Sequence, residues 1–147
     1  MSTNKSVVIL LSLLAFCISL VAWRNTPAEE LRSQAPNGLA VVWTTGDRNV
    51  AERMLLMYVH ASQRSKWFDK NLVIVWGPSA KLLAEDGELQ AKVKAMQRDG
   101  VRFQACVACA KMYGVVQQLR DLGIEVKGMG APLTKILQND HWKVMTF

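Results

Sequence analysis

Two short runs constrain this chain more than anything else in it: Leu39-Ala40-Val41-Val42-Trp43 and Leu72-Val73-Ile74-Val75-Trp76. Neither alternates polar with apolar residues, so each must be buried on both faces. A short strand meets that condition in the interior of a parallel sheet. Asn37-Gly38 and Thr44-Thr45-Gly46-Asp47 bound the first run, and Gly77-Pro78 stops the second. Parallel neighbours need a crossover between them, normally a helix. The residues from Val50 to about Ser65 supply one, with Asn49 as cap and Ala51, Met54, Leu55, Tyr58, Ala61 and Ser62 on one stripe.

The same alternation continues to the end of the chain. Ser79 leads a helix over Ala80 to Glu85, which Asp86-Gly87 breaks. Glu88 to Arg98 is a second helix, with Leu89, Val93 and Met96 at helical spacing and Asp99-Gly100 at its end. Val101 to Ala105 is the third strand, and Cys109 to Leu122 is predicted as one helix with Gly123 just past it. Ile124-Glu125-Val126 is the fourth strand. A helix opening near Pro132, with Leu133, Ile136 and Leu137 on its apolar face, leads to a last strand over Trp142 to Phe147. Strict alternation with short connections predicts the α/β class: a single domain with a mostly parallel five-stranded sheet and helices on both faces.

A length of 147 residues fits one such domain, over 38–147. Met1 to Lys5 is a polar lead with one Lys, and Val7 to Trp23 is apolar apart from Ser12, Cys17 and Ser19. That layout predicts a signal peptide or a membrane anchor, as an apolar helix over 1–23. Residues 24–37, with Pro27, Pro36 and Asn37, read as a linker. Either fate of the N-terminal segment puts the domain in the bacterial cell envelope, periplasmic, with membrane contact through that segment if it stays uncleaved. The net charge is +6, and the residues before Gly38 hold three basic against two acidic groups. The remaining excess is scattered, with no Lys/Arg run and no aromatic-basic motif, so a nucleic-acid partner is not expected.

In open α/β sheets, ligands bind outside the carboxyl ends of the strands. Those ends supply Thr44, Thr45 and Gly46, then Gly77, Pro78 and Ser79, then Cys106, then Gly128, Met129 and Gly130. The expected edge therefore offers hydroxyls, backbone N–H groups and a thiol, but no histidine. His60 falls inside the first helix and His141 near the last strand, and both read as structural or exposed. A Cys-His hydrolase is poorly supported on these grounds. Neither a Walker loop nor a GxGxxG fingerprint is present.

Cys106 and Cys109 form a CxxC where a strand runs into a helix, a place that favours thiolate over thiol. Three readings stand side by side: two buried apolar cysteines, a redox dithiol, or a nucleophilic thiol at Cys106 that carries sulfur with Cys109 as helper or bystander. With one CxxC and no nearby histidine, no metal is expected. Haem attachment would need histidine at 110, which is alanine. No cofactor is expected.

Four pieces of the chain together resemble the DsrE/DsrF-like family of sulfur-relay proteins. They are LAVVWTTGD, VIVWGPSAKLLAED, GVRFQACVACAKMYGV and LGIEVKGMGAPLTKILQND, which span Leu39 to Phe147 in the family's order and spacing. The resemblance implies a parallel α/β sheet and a homo-oligomer, a trimer or hexamer. It also implies that a cysteine after the third strand, at the position of Cys106, accepts persulfide sulfur and passes it to a partner protein. Cys109 is an addition to the one-cysteine pattern. The expected function is thus sulfur trafficking on Cys106 in the cell envelope, with a sulfur donor or acceptor protein as partner. The alternatives are a non-catalytic oligomeric binding module for a small ligand or a partner, and a CxxC dithiol redox protein.

Overall fold

In the computed structural model of the chain, which describes residues 37–147, the two doubly apolar runs lie in the middle of the sheet. The predicted signal or anchor over 1–23 and the linker before Asn37 lie outside the described residues. No described helix is long and apolar enough to cross a membrane. β1 (Gly38–Trp43) is buried along its whole length, and β2 (Lys70–Val75) from its second residue on. β3 (Arg102–Cys106) lies beside β2, and the short β4 (Glu125–Lys127) forms one edge. β5 (Trp142–Thr146) forms the other edge, giving the order β4-β3-β2-β1-β5 with every neighbouring pair parallel.

Helices fill the connections. α1 is a continuous helical run through Arg48–Val50, a wider π-wound stretch Ala51–Leu56, and Met57–Arg64. α2 (Ser79–Glu85) and α3 (Gly87–Arg98) join β2 to β3. α4 (Val107–Met112) and α5 (Val116–Asp121) join β3 to β4, and α6 (Gly130–Leu137) joins β4 to β5.

The order dictates which face each helix covers. From β1 through β4 the chain steps in one direction across the sheet, and right-handed crossovers put all their helices on one face. The step from β4 back across the sheet to β5 runs the other way, so α6 lies on the opposite face. The packing agrees. Leu39, Val41, Trp43, Val73, Val75 and Phe103 point to the first face, into a core shared with α1 to α5. Leu72, Ile74 and Cys106 point to the second, against Met129 and the α6 residues Leu133 and Ile136.

Three local expectations change. Asp47, not Asn49, caps α1: its Oδ1 accepts from the amides of Asn49 at 2.7 Å and Val50 at 3.1 Å. Both side chains can cap, and Asp47 sits where the chain is still extended. Within α1, the wider winding turns Met54 out, to 53% exposure, and buries Leu56 and Val59 in its place. The helix predicted over Cys109 to Leu122 is two helices. Gly114, at φ +68, turns the chain between them, and the Val115 amide bonds back to the Ala110 carbonyl at 2.9 Å.

Candidate functional site

Cys106 is both the last residue of β3 and the residue that caps α4, with extended backbone at φ −71 and ψ 116. The strand's alternation points its side chain to the face that α6 covers. Cys109 stands three positions further, in the first turn of α4, and joins the same cluster. The two thiols are free, and they are 5% and 6% exposed. Met129, fully buried, joins them from the loop after β4, and Trp76, Leu133 and Ile136 pack against this apolar cluster.

This position has a topological cause. The connection leaving β3 goes to one face of the sheet and the one leaving β4 goes to the other. The two loops part at the carboxyl ends of these neighbouring strands, the place where open α/β sheets bind ligands. Cys106 pairs in register with Lys127 of β4 at that point. Gln104 and Glu125, one pair earlier on the same face, join by a 2.7 Å hydrogen bond, and Glu125 holds the Lys127 ammonium at 2.8 Å.

Burial pushes the Cys106 thiol up. The backbone N–H of Cys109, the Cys109 thiol and the backbone N–H groups of Ala108 and Met129 outweigh it, and hold Cys106 below the ordinary thiol value. Cys109 moves the other way. Burial raises it, the Gly77 N–H opposes that, and the neighbouring Cys106 sulfur raises it further. One thiol is thus poised to ionise and the other to stay protonated and donate to it. In apolar surroundings each of these few dipoles acts more strongly than it does in water.

Of the residues expected at the carboxyl edge, Cys106, Gly77 and Met129 meet here, together with Cys109. Gly77 takes φ +71, a left-handed conformation that turns the chain sharply from β2 toward α2 and brings its amide to Cys109. Gly128 and Gly130 flank Met129, and a side chain at either would meet open space. The hydroxyl residues are occupied elsewhere. Thr44 donates through its hydroxyl to the Phe147 carbonyl, which also accepts from the amides of Thr44 at 2.7 Å and Thr45 at 3.0 Å. The Thr45 hydroxyl accepts from the Asp47 amide at 3.0 Å. Ser79 is fully buried; its hydroxyl donates to the Trp43 carbonyl and accepts from the Trp76 amide, tying the ends of β1 and β2 together. Gly46 and Pro78 line a separate cleft of about 280 Å³ with Lys81, Leu82, Glu85 and Tyr113.

Both histidines lie toward the amino ends of the strands. His60 pairs with Asp99 at 2.6 Å, and His141 is exposed just before β5. Among the described residues no three His, Cys, Asp or Glu side chains gather as a metal site. Met129 is among the residues expected at this edge, but spacing alone could not place Lys127 beside Cys106. The signal that finds it is strand register, which sets Cys106 opposite Lys127, itself two residues before Met129.

Against known families, residues 70–147 match the model of the DsrE/DsrF-like family. Among solved structures, the fold is similar to that of a conserved protein of unknown function from Bacteroides thetaiotaomicron. The two share 31% sequence identity and a TM-score of 0.72, over 84% of this chain and 100% of that one. No curated protein matches.

Proposed function

Because this chain belongs to the DsrE/DsrF-like family, a membership that supports a sulfur-relay kind of function, we propose that it traffics sulfur as a persulfide on Cys106. One observation carries the reading. The Cys106 sulfur sits where the loops of β3 and β4 part, with three backbone N–H groups and a second thiol favouring its anion. A thiolate is the nucleophile that attacks sulfane sulfur, and the persulfide it becomes is itself an anion that the same groups can hold. The apolar cluster of Met129, Trp76, Leu133 and Ile136 suits a soft, polarisable sulfur atom and limits water around it.

The test is to incubate the purified chain with inorganic polysulfide and read its intact mass. A reducible gain of sulfur that maps to Cys106 and is lost in Cys106→Ala is expected. A chain that gains none, or gains it equally in Cys106→Ala, sinks the reading.

The partner of such a carrier is a sulfur donor or acceptor protein, its assembly a trimer or hexamer, and its place the cell envelope, as the N-terminal sequence suggests. A second reading rests on the separate cleft lined by Gly46 and Pro78. There the chain would be a non-catalytic module binding a small ligand or partner, and Cys106→Ala would leave that binding intact.

A further inference from the structure

The carrier reading uses one thiol, and the fold supplies two. Cys109 lies in the first turn of the helix that begins at Cys106, and both sit in one apolar cluster with the fully buried Met129. A bystander cysteine has no need of such contact. Resting on the carrier reading, we propose that Cys109 discharges the sulfur: it attacks the Cys106 persulfide, expels the outer sulfur as hydrosulfide, and leaves a Cys106–Cys109 disulfide.

The step balances without an outside oxidant. The Cys109 sulfur forms a bond to the inner sulfur of the persulfide, and the bond between inner and outer sulfur breaks. The outer atom leaves with that bond's electron pair and takes the Cys109 proton. Sulfane sulfur is reduced to hydrosulfide, and the two cysteine sulfurs are oxidised to the disulfide. A dithiol reductant then returns the disulfide to two thiols, taking its oxidising equivalents away by ordinary exchange.

Geometry favours this internal route over escape to solvent. The attacking thiol stands in the first turn of the helix that begins at Cys106, in the same apolar cluster as the sulfur it must reach. The Gly77 N–H beside Cys109 favours its anion as the proton departs. A thiol from solvent must instead enter a site in which Cys106 is 5% exposed. The same closeness makes the chain a releasing protein, with free hydrosulfide as product, when no acceptor protein is docked.

The experiment loads the full chain with inorganic polysulfide, removes the excess, and follows intact mass and released sulfide together, without reductant. The expected course in the unaltered chain is a gain of sulfur on Cys106. This decays to a species lacking two hydrogens relative to the reduced chain, with one sulfide released per disulfide formed. In Cys109→Ser and Cys109→Ala, checked for an unchanged thermal melt, the gained sulfur persists and the release is lost. The unaltered chain reports by itself even if both variants unfold. An unaltered chain that loads on Cys106 and keeps its sulfur overturns the discharge step and leaves the carrier reading standing. A disulfide formed without sulfide overturns it in favour of a plain redox dithiol. Failure to load Cys106 in any form of the chain overturns both.

Discussion

At the scale of single residues, the two cysteines differ through their surroundings alone. Cys106 accepts favourable dipoles from the turn it caps and from the loop after β4, whereas Cys109 is buried beside a sulfur that prefers to be the anion. Alkylation with iodoacetamide across pH should therefore give Cys106 a midpoint below the ordinary thiol value of 9.0, and Cys109 one above it. Cys109→Ala, which removes a donor, should move the Cys106 midpoint upward. Equal midpoints for the two cysteines, read by peptide mass mapping, would show that the dipoles do not govern the pair. The place of Cys106 is legible in the amino-acid sequence, because the apolar run of β3 ends there and a strand-to-helix turn must follow. The role of Met129 is not. A glycine-flanked residue reads as part of a turn, and only the return of α6 across the second face buries it over the thiols. Thr44, Thr45 and Ser79 have the sequence character of pocket hydroxyls. Hydroxyls at strand ends serve equally to satisfy nearby backbone groups, and here they do that.

At the scale of elements, Asp86 connects two helices. Its Oδ1 caps α3 by accepting from the amides of Leu89 and Glu88, and its Oδ2 accepts from the Arg48 guanidinium of α1. The Leu89 amide is the main cause that holds this carboxyl below the ordinary carboxylate value; burial opposes it, and Arg48 adds to it. A depressed carboxylate contributes stability in full above its unfolded value, and that contribution is lost as pH falls through the lower folded one. Asp86→Asn should therefore flatten part of the acid limb of stability while keeping the cap. Asp86→Ala should lose the cap as well, at a cost of about 1 kcal/mol. Urea unfolding at neutral and acid pH separates the two, and identical acid limbs in Asp86→Asn and the unaltered chain would rule the carboxylate out. Element positions follow from the apolar runs, but boundaries depend on details that periodicity does not carry. The apolar spacing runs from Cys109 to Leu122 without interruption, so only the left-handed turn at Gly114 reveals two helices.

At the scale of the whole molecule, the sheet closes where β5 returns to β1. Gly38 lies under the Trp142 indole, and a Cβ there would approach its ring to 2.7 Å. Gly38→Ala must displace the indole or part the strands, and should cost roughly 1–3 kcal/mol in urea unfolding, as overpacking does. A stability unchanged by that substitution would mean that the β1–β5 junction tolerates movement. Class and parallel pairing are legible in the sequence because strands apolar on both faces have few other places to lie. The strand order is not, since alternation of strand and helix does not say on which side of β1 the last strand lands. That landing site has a consequence for a chain emerging from the ribosome. The bond from Thr44 to Phe147 spans 103 residues of sequence. At about 5–20 residues per second, β1 waits several seconds with one flank open after its other neighbour, β2, has been made. During that interval its row of unpaired amides and carbonyls is a template for another strand, so the arrival of β5 also ends the exposure of β1 to intermolecular pairing.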